Sequence, residues 1–352
     1  MKILVTGGCG FIGSNFIHHI LKSTDDYILN IDKLTYAGNL ENHSLIKENI
    51  KYNFVQADIC DYKLLSNLIS DFKPDAIIHF AAESHVDRSI DAPMSFVETN
   101  LLGTATLLHA SLDYWRKIKK TKGKYFRFLH ISTDEVFGSL GKNGVFTEKT
   151  PYNPSSPYSA SKAGADHLVR AWERTYEFPS LITNCSNNYG PYQFPEKLIP
   201  LMISRCIEQK SLPIYGQGLN IRDWLYVQDH CEALYEVLQN GEIGETYNIG
   251  GNNEIKNIDI VKTICSLLDT IKPRNDGKSY SQLISFVKDR PGHDFRYAID
   301  ASKIKNKLNW GPNENFNSGI EKTIRWYIKN EEWWRNIQSN IYNQERLGLN
   351  IK

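Results

Sequence analysis

The chain has 352 residues, with 41 Lys and Arg against 40 Asp and Glu for a net charge of +1, and it is 41% hydrophobic and 23% charged. This composition excludes global disorder. The near balance of charge gives no overall reason to expect nucleic acid or an acidic membrane as partner, although a local basic pocket fits inside a balanced total. At roughly 100–200 residues per domain, the length suits two domains or one large α/β domain with an added lobe. In chain order, short apolar runs at Ile3–Thr6, Tyr27–Ile31, Tyr52–Gln56, Ala76–Phe80 and Phe126–Ile131 predict strands. Between them, Ser14–Leu21, Tyr62–Ser70 and Met94–Asp113 carry helical patterning. The alternation predicts an α/β fold with a doubly wound parallel sheet. A helix is expected from Tyr158 to about Tyr176, then a strand at Leu181–Cys185.

After that strand the texture changes. Asn184–Pro200 holds three prolines, a helix follows to about Gln209, and Leu212–Gly218 reads as a Pro/Gly-rich turn. Further helices are expected near Asp229–Gln239 and Asn257–Asp269. This part is expected to supply loops more than sheet, as a substrate lobe over the strand ends. The division is 1–183 with about 221–250 for a dinucleotide domain, and 184–220 with 251–352 for a smaller lobe. The aromatic, charged stretch Trp326–Trp334 points to packing or a subunit contact rather than chemistry.

Gly7-Gly8-Cys9-Gly10-Phe11-Ile12-Gly13 lies between the first strand and the first helix. Gly7 allows the tight turn, Gly10 a close approach to a pyrophosphate, and Gly13 close packing of helix on strand, while the helix N-terminus attracts the anion. Asp32 follows Gly7 by 25 positions, where a carboxylate meets the adenosine ribose hydroxyls and repels a 2′-phosphate. NAD is therefore favoured over NADP, with Lys33 next door pulling slightly the other way. Asp58, expected to close the third strand before Ile59, could reach the adenine.

Tyr158-x-x-x-Lys162 follows Pro154 and Pro157 at a plausible helix start. The spacing puts both side chains on one helical face, and an ammonium near a phenol favours phenolate, so Tyr158 could serve as a base. With the glycine motif, this pair resembles the extended short-chain dehydrogenase/reductase superfamily, which implies a Rossmann-type sheet. Thr133-Asp134-Glu135 at the end of the preceding strand narrows the resemblance. The segments Leu34–Leu40, Ala81–Ser89, Asn187–Pro200, Arg222–Val227 and Arg290–Asp294 agree with it. From Lys2 to about Trp334 the chain resembles the dTDP-glucose 4,6-dehydratase family.

The resemblance implies oxidation of glucose at C4 by NAD, loss of water across C5–C6 and reduction at C6, with the cofactor regenerated. By resemblance Tyr158 is the base at the C4 hydroxyl, Thr133 bonds the same oxygen, and Lys162 holds the nicotinamide ribose and tunes Tyr158. Glu135 takes the C5 proton. Asp134, protonated through burial or its neighbour Glu135, donates to the departing C6 hydroxyl. The cofactor cleft is implied to include Phe11, Ile12, Lys33, Leu34, Thr35, Ile59, Phe80, Ala81, Ala82, Thr99 and Asn188. For the sugar diphosphonucleoside, Arg222 and Arg290 are candidates to neutralise the diphosphate, with Lys197 nearby. By resemblance Ser84 and Asn187 meet the hexose or its phosphate, Asn257 and His293 the diphosphate region, and Leu198, Pro213 and Tyr215 the base and its sugar. His85 reads as a packed histidine.

A UDP-glucose dehydratase of the same mechanism stays open, because the thymine methyl is one small apolar group. A nucleotide-sugar 4-epimerase or decarboxylase has no need of the Asp134-Glu135 pair, and a non-enzymatic NAD sensor has no need of the whole constellation. The six cysteines (Cys9, Cys60, Cys185, Cys206, Cys231, Cys265) include no C-x-x-C pair and predict reduced thiols with no metal site. No apolar run approaches the roughly 18–20 residues of a membrane span, and the glycine motif leaves no room for a secretory leader. The expected setting is the cytoplasm, without membrane or nucleic-acid partners, and the resemblance implies a homodimer through a helical face.

Overall fold

The computed structural model describes residues 1–121, 125–289, 292–342 and 344. In chain order its strands are β1 (Lys2–Thr6), β2 (Tyr27–Asp32), β3 (Tyr52–Gln56), β4 (Ala76–His79), β5 (Arg127–Thr133), β6 (Ser180–Cys185), β7 (Asn187–Tyr189), β8 (Leu212–Tyr215), β9 (Ile221–Tyr226), β10 (Thr246–Ile249), β11 (Glu254–Lys256) and β12 (Ile284–Val287). Seven of them form one sheet in the order β10-β6-β5-β4-β1-β2-β3, every neighbouring pair parallel. The inner strands are buried on both faces, as a sheet covered by helices requires: β4 (Ala-Ile-Ile-His) and β6 are buried at every position, polar residues included. The expected α/β, Rossmann-type fold is what the chain adopts.

The helices Phe11–Ser23 and Val227–Asn240 cover one face of the sheet, where Phe16, Ile17 and Ile20 meet Leu234, Val237 and Leu238 in one core. Tyr62–Phe72 and Thr104–Ile118 cover the other through Leu65, Ile69, Leu107 and Leu108. The strand order reverses between β1 and β4, so the carboxyl ends Thr6, Asp32, His79, Thr133 and Cys185 border one crevice, where ligands of such sheets bind.

The continuous helix expected over Met94–Asp113 is divided. Pro93–Phe96 makes one turn, Val97–Gly103 is a wider π-helical stretch, and the regular helix resumes at Thr104. Wide turns of this kind recur at functional sites. Within this one the Asn100 amide accepts from the Glu83 N–H at 2.9 Å and donates to the Glu83 carbonyl at 3.0 Å and the Ser161 hydroxyl at 2.9 Å. The wide turn thus ties the loop after β4 to the Tyr158 helix.

The C-terminal part holds more sheet than its composition suggests. Leu212–Tyr215, read from sequence as a turn, is β8 and pairs in parallel with β12, while the glycines that suggested a turn, Gly216 and Gly218, come after it at positive φ. Pro213 is tolerated because this sheet has only two strands, so one of its edges carries no ladder. β9 lies between antiparallel β11 and parallel β7, while β10 joins the large sheet beside β6. A second core holds this part together through Ile199, Ile203, Ile260, Ile264 and Ile324. Trp334 is fully buried in it, its indole N–H donating to the Tyr327 carbonyl at 3.0 Å, and the Trp333 indole N–H reaches Asn42 at 2.9 Å. The aromatic tail is therefore packing, and it ties the end of the chain back to the dinucleotide half.

Candidate active site

A single cavity of about 690 Å³ runs along the crevice. At one end lies the glycine loop. Gly7 sits at φ +73°, and a Cβ there would fall 2.5 Å from the Ala81 nitrogen, so only glycine lets this turn pass so close to the loop after β4. A Cβ on Gly13 would fall 2.4 Å from the Gly7 carbonyl oxygen. No side chain caps the helix that starts at Phe11, so its first amides remain available to an anion.

Asp32 ends β2 and is 8% exposed. One carboxylate oxygen accepts from the Leu34 N–H and the other from the Cys9 N–H, each at 2.8 Å. This pins the glycine loop to the strand end and leaves lone pairs facing the cavity. Leu34, at φ +57°, contributes that amide, and its side chain is not on the cavity wall. Asp58 lies two residues beyond the end of β3 and pairs with Lys33 at 2.6 Å. The pair offsets the one positive charge beside Asp32. A cradle with a carboxylate at the ribose position and no unopposed cation fits NAD, and Phe11, Ile12, Thr35, Ile59, Phe80, Ala81, Ala82, Thr99 and Asn188 line the same end.

At the centre, β5 delivers Thr133 to the crevice and the chain breaks into a short turn, Asp134–Phe137, capped by the Thr133 hydroxyl accepting from the Glu135 N–H at 3.3 Å. Glu135 is half-buried and faces the cavity. Asp134 is 1% exposed and lies behind the wall. Burial first, then the nearby Glu135 and Asp223 carboxylates, push its pKa well above the carboxylate range, against the pull of Arg222.

The Tyr158 helix starts with a capping box between Ser156 and Ser159 and Pro157 in its first turn. Tyr158 and Lys162 both reach the cavity wall. The sequence suggested a phenol lowered by the lysine, but burial is the largest influence on Tyr158 and lifts it well above 10, with Glu135 adding to it and a hydrogen bond with Thr133 opposing it. The Lys162 ammonium is directed to the Ile131 carbonyl, at 2.8 Å, and burial lowers it to about 8.

The far end holds the predicted sugar-nucleotide grip. Lys197 donates to the Ser84 carbonyl at 3.1 Å, which sets both on one rim. Tyr215 donates to Asp87 at 3.1 Å and meets the His293 ring edge-on at 6.1 Å. Arg222, 5% exposed, lies with its guanidinium 4.2 Å from the Tyr297 ring centre and donates to the Asp294 carbonyl at 2.9 Å. Asn187, Leu198, Pro213 and Asn257 line the same stretch, and the amide oxygens of Asn187 and Asn257 are buried without a protein partner among the described residues. Arg290 lies outside the described residues.

Several wall residues went unassigned in the sequence reading. Tyr36 donates to Glu196 at 3.0 Å, Arg88 pairs with the same carboxylate at 2.8 Å, and the Arg88 guanidinium stacks 3.8 Å from the Tyr36 ring centre. This clamp joins the cofactor loop to the Lys197 loop. Its members all lay in segments that carried the resemblance, which was the available signal. Cys185, Tyr297, Arg205 and Tyr342 also line the cavity and left no signal beyond their types.

The fold and this site define a dinucleotide-dependent enzyme of the extended short-chain dehydrogenase/reductase class. The GDP-mannose 4,6 dehydratase family model matches residues 4–323. A dTDP-glucose 4,6-dehydratase of Escherichia coli is 58% identical, the match covering 99% of each chain. The crystal structure of dTDP-glucose 4,6-dehydratase from Bacillus anthracis in complex with NAD superposes with a TM-score of 0.84 at 48% identity, over 96% of this chain and 99% of that one. The Streptomyces venezuelae dTDP-glucose 4,6-dehydratase DesIV, solved with NAD and TYD bound, gives 0.87 at 42% identity, over 96% and 100%. The chain belongs to the dTDP-glucose 4,6-dehydratase family.

The burial of Asp134 makes a stability prediction. Its folded-state pKa lies above the ordinary 3.8, so the fold is favoured while the carboxyl is protonated in both states. That advantage is lost as pH rises from 3.8 toward the folded value. Asp134→Asn removes the cost of keeping an acid buried. It is expected to raise the melting temperature at pH 7–8 and to make little difference near pH 3, as scanning calorimetry across pH would read.

Proposed function

We propose that this chain converts dTDP-glucose to dTDP-4-keto-6-deoxyglucose and water, as a hydro-lyase whose cofactor is NAD. The observation that carries this reading is that Thr133, Glu135, Tyr158 and Lys162 face one cavity between an NAD-fitting cradle and a polar rim, in a chain 58% identical along its length to a dTDP-glucose 4,6-dehydratase. NAD, when bound, supplies the hydride acceptor for C4, the donor for C6, and a positive ring.

Tyr158 takes the proton of the C4 hydroxyl, with the Thr133 hydroxyl holding the same oxygen and Lys162 supplying positive charge from beneath. The C4 ketone acidifies the neighbouring C5–H, which is not acidic in glucose itself. Glu135, half-buried at the cavity surface, removes that proton. Asp134 holds a proton at neutral pH and gives it to the C6 hydroxyl, which leaves as water. Because the carboxyl lies behind the wall, the side chain has to turn between Thr133 and Glu135 to make that transfer.

The cofactor is taken by 1–183 with about 221–250, and the nucleotide by 184–220 with 251–352. Lys197, Leu198, Pro213, Tyr215, Asn257 and His293 all fall in the second set, and Arg222 does not. Further readings from the resemblance are a cytoplasmic homodimer and supply of rhamnose-type deoxysugar synthesis. No helix among the described residues is long and apolar enough to cross a membrane, and Met94 and Leu102 are exposed apolar side chains on helical segments.

The test is mass spectrometry of dTDP-glucose and UDP-glucose, each incubated with the protein in deuterated water. Loss of one water with gain of one deuterium is expected, faster from dTDP-glucose. Faster conversion of UDP-glucose would reassign the base, and unchanged mass with inversion at C4 would make the protein an epimerase.

A further inference from the structure

The Tyr158 helix carries a third buried group in register with the first two. Asp166 lies one turn beyond Lys162, on the same face, and its side chain is fully buried. One of its oxygens accepts from the Ser132 and Tyr152 hydroxyls, each at 2.8 Å, and from the Asn184 amide at 3.4 Å. The other lies 3.2 Å from Nε2 of His130, and that same nitrogen lies 3.3 Å from Nζ of Lys162. His130 Nδ1 has no hydrogen-bond partner among the described residues. One imidazole nitrogen therefore stands between an ammonium and a carboxylate, both out of water.

Around Lys162, β5 presents the Ile131 carbonyl and His130, β6 presents Cys185, and the helix itself presents Tyr158 and Asp166. Behind His130, β4 contributes His79, which is bonded to Thr6 and Thr104 at 2.7 and 3.0 Å, and Arg170 reaches the Tyr152 hydroxyl at 2.6 Å. Burial holds His79 and His130 neutral, His130 at about 4, and raises the Cys185 thiol. That leaves Asp166 as the carboxylate in this set. A buried ammonium with no carboxylate nearby gives up its proton.

We propose that Asp166 is a positioning residue for the C4 oxidation, the charge of its carboxylate, held across the His130 ring, keeping Lys162 charged beneath Tyr158. This rests on the roles given to Tyr158 and Lys162 above. It explains why a dehydrogenase pair at i and i+4 is extended by an acid at i+8 that touches no cavity surface. No covalent step is involved, only the charge state of one amine.

The test is the pH profile of turnover of the NAD-loaded protein on dTDP-glucose. In Asp166→Asn the amine loses its proton more easily, so the alkaline limb of the kcat profile is expected to move to lower pH by about one unit or more. kcat at pH 8 should fall roughly tenfold or more while KM stays within about threefold. Asp166→Glu, which restores the charge, should return the limb toward the wild-type position. An unshifted limb in folded, NAD-retaining Asp166→Asn overturns the proposal, as does a loss confined to KM. If Asp166→Asn does not fold, Asp166→Ser removes the same charge at smaller volume. The same acidward shift then supports the proposal, and an unshifted limb overturns it. Lys162→Met separates the two readings. If it turns over normally, the role of Lys162 itself fails, whereas an inactive Lys162→Met beside an unshifted Asp166→Asn overturns only the inference about Asp166.

Discussion

Tyr158→Phe is expected to slow turnover about 10²–10⁴-fold, with NAD and nucleotide sugar still bound. The phenol is 8% exposed and packs edge-on against Phe96 at 6.2 Å, so removing one oxygen leaves the ring in its slot. The loss falls on the first chemical step, because the C4 hydroxyl can release hydride only as its proton leaves. Burial lifts the pKa of Tyr158 well above 10. The wild-type rate should therefore rise with pH on the acid side, and that rise should vanish in Tyr158→Phe. A single-turnover assay that quenches the reaction and weighs the 4-keto sugar nucleotide reads this directly. Unchanged formation of the ketone would transfer the base role to another group, Glu135 being the nearest carboxylate on the cavity wall.

The dinucleotide half was legible in the sequence because its elements are set by local rules. β1, β2, β4, β5 and β6 are largely buried on both faces and centre on apolar runs, and the glycines of the first turn are dictated by backbone approach, as the 2.4 Å from a Gly13 Cβ to the Gly7 oxygen illustrates. The second half was harder. β8 carries a proline and is followed by glycines, and β7 and β11 have three residues each, too short for a period to register. The expected helix over Met94–Asp113 is interrupted over Val97–Gly103, a wide turn whose Asn100 side chain bonds to Glu83 and Ser161, contacts that no helical period announces.

At the site, spacing put Tyr158 and Lys162 on one helical face and the resemblance added Thr133, Asp134 and Glu135, all of which but Asp134 line the cavity. What spacing could not supply was their surroundings. The short turn that follows β5 carries Asp134 behind the wall and Glu135 to the cavity. The surroundings of the Lys162 ammonium include His130 and Asp166, which come from two elements 36 residues apart in sequence. Charge states at such a site follow from three-dimensional burial, and neither a spacing of four nor a motif contains that information.

Glu135→Gln is expected to separate oxidation from elimination. The substitution keeps size and hydrogen-bonding shape at a half-buried position, so cofactor and nucleotide sugar should bind as before. What is lost is the only charge change at that site, an acceptor for the C5 proton. Mass spectrometry in deuterated water should find the 4-ketoglucose nucleotide but no deuterium at C5, and formation of the deoxy product should fall about 10²–10⁴-fold, the range a positioned base contributes. The variant also discriminates between neighbours. If Asp134 were the base, Glu135→Gln would still exchange C5 and Asp134→Asn would not. With the roles as proposed, Asp134→Asn should keep C5 exchange, since the ketone alone acidifies that proton, and lose departure of the C6 hydroxyl. Exchange in one variant and its absence in the other therefore decides which of two adjacent acids takes the proton and which gives one. The proposed roles follow exposure, with the carboxylate on the cavity surface as base and the buried one as acid.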